Sequence, residues 1–294
     1  MHEKFKGTGV AVVTPFSENG EIDYASFEKI IEHLIIGGVE YIVLLGTTGE
    51  SPTVTKQEKE TLIPFIAGKI NKRVPLVLGV GGNNTAGVVS AIKDTDFNEV
   101  DAVLSVCPYY NKPQQEGIYQ HFKAVAETCP VPVILYTVPG RTSSNISAST
   151  TLRLAKDFSN IIGIKEASGN FDQIFQVLKN RPDHFLVISG DDGITLPLLA
   201  AGADGVISVV ANAYPRQFSD MVRYGLAGDF QSARALHWLL LDFMNVLFID
   251  GSPSGIKAAL EIKDLCKNIL RLPLVPVNHD THALLNKLIR QIEK

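Results

Sequence analysis

The sequence predicts an α/β protein, a (β/α)₈ TIM barrel with a C-terminal helical appendage. Three observations predict it. Eight short apolar runs rich in Val, Ile and Leu recur along the first two-thirds of the chain. Stretches of helical periodicity separate them. After about residue 225 the apolar runs stop while helical periodicity continues.

The runs lie at 9–14, 41–45, 75–79, 101–106, 131–136, 161–165, 185–189 and 204–208. Their near-continuous hydrophobicity fits strands buried on both faces, as in a parallel sheet. Between the first two, Phe27, Ile30, Ile31, Leu34 and Ile35 sit at helix spacing, and Gly37-Gly38 stops the helix. Residues 85–97, 116–128, 147–158 and 172–180 read the same way, and Gly202 closes another helix. Parallel strands need such crossovers. Eight units in about 210 residues suit a closed barrel better than an open doubly wound sheet. Residues 230–249, 255–266 and 281–293 read as helices without a ninth strand. The expected division is therefore a catalytic barrel over 1–225 and a helical region packed on it over 226–294.

Composition narrows the partners. The formal net charge is −4 and no basic stripe occurs, which argues against nucleic acid. The longest apolar runs are too short or too interrupted to span a bilayer. The first residues carry no apolar signal-peptide core. Cys107, Cys129 and Cys266 are odd in number and lack a CxxC pair, which supports neither structural disulfides nor a zinc site. A reducing cytoplasm is the expected compartment.

In a barrel of this kind the chemistry sits where the strands end. The sixth run ends in Lys165, its stem against an apolar core and its amine in a cleft. Burial disfavours a charged amine, and a neutral amine attacks a ketone to form an imine that stabilises an adjacent carbanion. The bland alternative is an ion pair with Glu166. Tyr136 ends the neighbouring strand and offers a phenol for proton transfer. Thr47 and Thr48 lie in a Gly-bounded turn and supply hydroxyls, unless they cap the next helix. Arg141, after Pro139-Gly140, suits a carboxylate, unless it serves a surface salt bridge. Asp191 and Asp192 lack the His or Cys partners of a transition-metal site, and no metal or organic cofactor is expected. His279 and His282 read as solvated, and Gly79-Val80-Gly81-Gly82 as a tight turn rather than a phosphate loop.

Taken together, these segments resemble the dihydrodipicolinate synthase/N-acetylneuraminate lyase superfamily over essentially the whole chain. Gly46-Thr47-Thr48-Gly49-Glu50 is similar to its pyruvate-carboxylate loop, and Ile164-Lys165-Glu166-Ala167-Ser168-Gly169 to its Schiff-base segment. The resemblance implies that Lys165 binds pyruvate as an imine, and that Tyr136, Thr48 and Tyr110 relay protons. Tyr110 would come from a neighbouring subunit, within a homotetramer built as a dimer of dimers. Thr47, Thr48, Arg141, Gly190 and Ile207 are the implied substrate-binding positions. Pro108-Tyr109-Tyr110-Asn111-Lys112-Pro113, Tyr136-Thr137-Val138-Pro139-Gly140-Arg141-Thr142 and Ser189-Gly190-Asp191-Asp192 resemble the synthase branch. That branch implies condensation of pyruvate with L-aspartate 4-semialdehyde, in lysine (diaminopimelate) biosynthesis.

Departures from the pattern matter. Thr137 stands where the family usually has Asn, and its hydroxyl still offers a hydrogen bond. The segment 252–257 only partly matches an NPIPVK-like pattern. Ser51, Asn83 and Tyr109 match the family's lysine-feedback site, whereas Lys56 and Gly87 replace a histidine and a glutamate, which implies weak or absent inhibition. The nearest rival is another pyruvate aldolase of the superfamily, acting on N-acetylneuraminate, 2-keto-3-deoxygluconate or 4-hydroxy-2-oxoglutarate. A metal-dependent barrel hydrolase lacks its early His-x-His pair, and a non-catalytic scaffold would have no use for this constellation.

Overall fold

A computed structural model describes residues 2–294. Eight parallel strands close into a barrel in chain order: β1 (Gly7–Ala11), β2 (Tyr41–Leu44), β3 (Leu76–Gly79), β4 (Ala102–Val106), β5 (Val133–Thr137), β6 (Ile161–Glu166), β7 (Leu186–Ser189) and β8 (Gly205–Ser208). Helices α1 (Tyr24–Ile36), α2 (Lys56–Ile70), α3 (Thr85–Asp94), α4 (Gln115–Thr128), α5 (Pro139–Thr142), α6 (Ala148–Asp157), α7 (Phe171–Asn180), α8 (Thr195–Ala200) and α9 (Pro215–Leu226) form the outer ring. Three more, α10 (Phe230–Val246), α11 (Ser254–Ile262) and α12 (His279–Ile292), follow.

The predicted barrel and its helical extension are both present. The first strand, however, lies two residues earlier than the apolar run suggests. Val12 and Val13 are fully buried past the last strand residue, in the apolar group shared with the C-terminal helices, and the Val12 N–H still donates to the Val43 carbonyl at 3.1 Å. Apolarity reports burial, and here burial extends past the strand. Helix α2 was not singled out in the sequence because its exposed face is strongly polar and Pro64 interrupts it. Its start is nonetheless specified locally. Thr55 accepts the Glu58 N–H while the Glu58 carboxylate accepts the Thr55 N–H, a reciprocal capping box.

The apolar side chains divide into three groups. One fills the barrel interior, from Phe5 at its N-terminal end through Tyr41, Ile134 and Ile162 to Tyr136 and Ile207. Gly9 is required there, because a Cβ would lie 2.1 Å from the Tyr41 ring. A second group packs β4–β7 against α3, α4, α6 and α7. The third joins the β1–β3 side to α1, α2, α9 and the C-terminal helices, so the appendage shares the barrel's core. Cys107, Cys129 and Cys266 are buried free thiols; burial pushes the Cys107 and Cys266 thiols up to about 12.

Candidate active site

Strand alternation decides which way Lys165 points. In the ladder Lys165 stands beside Tyr136 on β5 and Ile188 on β7, both interior residues. Its side chain is 5% exposed, and its ammonium sits 4.5 Å from the centroid of the Tyr136 ring. Among the described residues it has no carboxylate partner. Glu166, one residue on, faces the opposite side. Its carboxylate accepts the Ser168 N–H at 2.7 Å and the Gln173 side-chain amide at 2.9 Å, and burial raises its pKa. The ion pair that would have made Lys165 inert is therefore not formed.

Gly190 follows β7 and presses against the same lysine. A Cβ there would lie 3.0 Å from Lys165 Cε and 2.7 Å from Ala167 Cβ. Ile207, 1% exposed, belongs to the interior group beneath the site. Thr137 keeps its hydroxyl engaged, donating to Asn145 Oδ1 at 3.1 Å and accepting the Ile146 N–H at 3.1 Å.

The loop after β2 carries Thr47, exposed, and Thr48, 3% exposed. Neither caps α2, a task taken by Thr55. The loop is bracketed by two non-glycine residues in the left-handed region, Leu45 (φ 57°) and Glu50 (φ 52°). Gly79 on β3 allows its close approach, since a Cβ there would lie 2.2 Å from the Leu45 carbonyl oxygen.

Above Lys165 a cavity of about 370 Å³ opens at the strand C-termini. Thr47, Tyr109, Tyr136 and Arg141 line it; Lys165, Thr48, Tyr110, Gly190 and Ile207 do not, and Lys165 adjoins it through the Tyr136 ring. Arg141 is exposed and, among the described residues, makes no salt bridge, so its guanidinium is free to meet a carboxylate. Tyr110 turns away from its own chain and is 87% exposed. It adopts φ 72°, and the Asn111 N–H donates to the Tyr109 carbonyl at 2.9 Å across it. Among the described residues no hydrogen bond joins the hydroxyls of Tyr136, Thr48 and Tyr110 within one chain.

A second cavity, of about 640 Å³, lies between α2 and α3; Ser51 and Gly87 line it with Lys56 and Lys59 and the carboxylates of Glu60, Asp94, Asp96 and Glu99. Ser51 stands in the walls of both cavities, Tyr109 in that of the first only, and Asn83 in neither. Lys56 is paired with Asp94 at 2.9 Å, so its charge is partly answered. Burial lowers the pKa of Lys59, which has no ion-pair partner among the described residues.

Asp192 is a structural link between two loops. Its Oδ2 accepts the N–H groups of Val209 and Val210, both at 3.0 Å, and burial pushes its carboxyl up to about 6. His282 meets Glu261 at 3.2 Å on the surface. No group of three His, Cys, Asp or Glu suited to a metal occurs among the described residues.

Sequence reasoning missed the contribution of the C-terminal helices. Ser252, Pro273 and Leu274 complete the first cavity's wall. Behind the Thr47–Thr48 loop, Glu50 pairs with Lys257 of α11, both side chains being 0% exposed. One signal for it was visible: Lys257 interrupts the apolar series Ile256, Ala258, Ala259, Leu260.

Comparison with known proteins agrees with this geometry. The model of the Dihydrodipicolinate synthetase family matches residues 4–292. The 4-hydroxy-tetrahydrodipicolinate synthase of Flavobacterium psychrophilum is 52% identical over 292 residues, covering 99% of this chain and 100% of its own. The crystal structure of dihydrodipicolinate synthase from Thermotoga maritima superposes with a TM-score of 0.96 at 39% identity, covering 99% of each chain. That of the Cyanidioschyzon merolae enzyme with lysine bound gives 0.95 at 34%, again over 99% of each. This chain belongs to the dihydrodipicolinate synthetase family.

Proposed function

We infer that the chain is a Schiff-base lyase that condenses pyruvate with L-aspartate 4-semialdehyde, giving 4-hydroxy-tetrahydrodipicolinate and water. The reading rests most on Lys165: a 5% exposed amine, free of any carboxylate, held against Tyr136 below a cavity with an unpaired arginine. The neutral amine adds to the keto carbon of pyruvate, and loss of water leaves the imine. The imine acidifies the methyl group, whose carbanion equivalent attacks the aldehyde carbon. The semialdehyde's own amino group then adds to the imine carbon, closes the ring and releases Lys165. Thr47 and Thr48 hold the pyruvate carboxylate, and Arg141 the carboxylate of the second substrate. Gly190 and Ile207 shape the pocket around the adduct.

Tyr136 Oη, Thr48 Oγ1 and Tyr110 Oη form the proton relay, with Tyr110 supplied by a second copy. The exposure of Tyr110 supports this, since the residue is 87% exposed and its hydroxyl finds no hydrogen-bond partner among the described residues of its own chain. The assembly is a homotetramer of two such dimers, in the cytoplasm. Among the described residues no helix is long and apolar enough to cross a membrane. Residues 1–225 form the catalytic barrel, and 226–294 a region that closes its cavity. Ser51, Asn83 and Tyr109 belong to an effector site that binds lysine weakly or not at all.

The test is borohydride reduction in the presence of pyruvate, followed by peptide mapping. The expected result is a single reduced pyruvyl adduct on Lys165, absent from Lys165→Ala. An adduct elsewhere, or none, overturns the mechanism. Turnover with N-acetylneuraminate or 2-keto-3-deoxygluconate in place of the semialdehyde would move the chain to another branch.

A further inference from the structure

We propose that Lys257 is a positioning residue for the active site: through its ion pair with Glu50 it fixes the backbone of the loop that presents Thr47 and Thr48. This rests on the role just assigned to that loop, and extends it to a helix remote in sequence.

The pair is an unusual thing to bury. Both side chains are 0% exposed, and taking two charges out of water is costly. Stability alone does not call for it, because the C-terminal helices already share an extensive apolar core with the barrel. What the pair does have is geometry. Lys257 Nζ also donates to the Ile269 carbonyl at 2.7 Å and sits 4.2 Å from the centroid of the Phe16 ring. Those contacts leave it little freedom. Glu50 is equally constrained, since its second carboxylate oxygen accepts the Arg271 N–H at 3.1 Å. Its backbone carbonyl accepts the Thr53 hydroxyl at 3.0 Å.

Glu50 is also a residue whose backbone needs such constraint. Its left-handed φ of 52° is matched by Leu45 at 57°, so the turn 45–50 is held in a sparsely populated conformation at both ends. Such a conformation persists when its surroundings over-determine it. Thr14 secures the adjoining Gly49 carbonyl at 2.7 Å from the β1 side, and Lys257 secures Glu50 from the α11 side. The same C-terminal region places Ser252, Pro273 and Leu274 in the wall of the cavity that Thr47 also lines.

The test compares the unsubstituted chain with the charge-neutral double variant Glu50→Gln/Lys257→Met. Three quantities are measured: the melting temperature, the pyruvate concentration that half-saturates borohydride trapping, and the KM for the semialdehyde. The expected result is a folded double variant whose half-saturating pyruvate rises roughly tenfold, the scale of a misplaced binding group, with the semialdehyde KM little changed. Half-saturation within about twofold of the unsubstituted chain, whatever the melting temperature does, overturns the proposal. Should the double variant not fold, Glu50→Gln alone is scored by the same criterion; it retains an acceptor for the Arg271 N–H. Failure of the unsubstituted chain to trap pyruvate overturns the catalytic reading and this inference together. Trapping that is normal in both chains overturns the inference alone.

Discussion

Replacement of Arg271 by Met tests whether the C-terminal region is fastened to the barrel by charge. The Arg271 guanidinium donates to the Gly20 carbonyl at 2.9 and 2.8 Å and to the Thr53 carbonyl at 2.7 Å. It also meets Glu58 at 2.8 Å and lies 4.3 Å from the centroid of the Phe16 ring. Hydrogen bonding to Arg271 is the main reason the Glu58 carboxyl falls from its ordinary 4.5 to about 2; the capping bonds with Thr55 add to it, and burial opposes it. At ~1.4 kcal/mol per unit that gap corresponds to about 3 kcal/mol. The share due to Arg271 is nearer about 2 kcal/mol, because Thr55 supplies part and both side chains touch solvent. The folded-state value is depressed, so the contribution is fully present above pH 4.5 and fades as pH falls towards about 2. Urea unfolding followed by circular dichroism should therefore show Arg271→Met less stable than the unsubstituted chain by about 2 kcal/mol at neutral pH, plus a pH-independent remainder from the freed carbonyls. More than half of the pH-dependent difference should be gone by about pH 3. A difference that stays constant between about pH 6 and about pH 3 would refute the reasoning.

Three further outcomes follow from the site. Gly190→Ala forces a Cβ to within 3.0 Å of Lys165 Cε and 2.7 Å of Ala167 Cβ, so kcat should fall about 10- to 100-fold and, because the Ala167 Cβ cannot swing aside, the melting temperature should fall too; unchanged kcat would show that the lysine stem has room to shift. Lys165→Ala and Tyr110→Phe should each be nearly inactive alone, yet regain activity when unfolded and refolded together, because one site of the mixed dimer recovers both groups; no recovery, with mixed dimers confirmed by native mass spectrometry, would place Tyr110 outside the partner's site. Millimolar lysine should leave turnover nearly unchanged, since Gly87 offers no carboxylate to its ammonium and Asp94, among the cavity's other carboxylates Glu60, Asp96 and Glu99, is already taken by Lys56; strong suppression in an initial-rate assay would reverse that conclusion.

The parts of this site that local sequence discloses are those whose position follows from a period. Lys165 ends an apolar strand, and strand order places Tyr136 beside it, so the pair needed no coordinates. Thr47, Thr48 and Arg141 follow strand ends, where the barrel gathers its loops. What stayed hidden depends on contacts distant in sequence or between chains. Glu50 is separated from Lys257 by most of the barrel, and only the docking of α11 brings them together. The capping box at Thr55 was written locally, in Thr55 and Glu58, yet polarity and Pro64 drew attention away from α2.

Tyr110 marks a different boundary, because the proposed role of its phenol lies in a second copy of the chain. Backbone hydrogen bonds from Tyr110 to the Thr142 carbonyl at 3.3 Å and from Asn111 to the Tyr109 carbonyl at 2.9 Å hold its left-handed turn, but the residue is 87% exposed and its hydroxyl is unpaired among the described residues. On the proposed relay that phenol meets Tyr136 and Thr48, whose hydroxyls make no hydrogen bond to it inside the chain. The incomplete relay and the unspent aromatic are complementary deficits. If two copies associate as proposed, both are answered at once, and the dimer becomes a requirement of the chemistry.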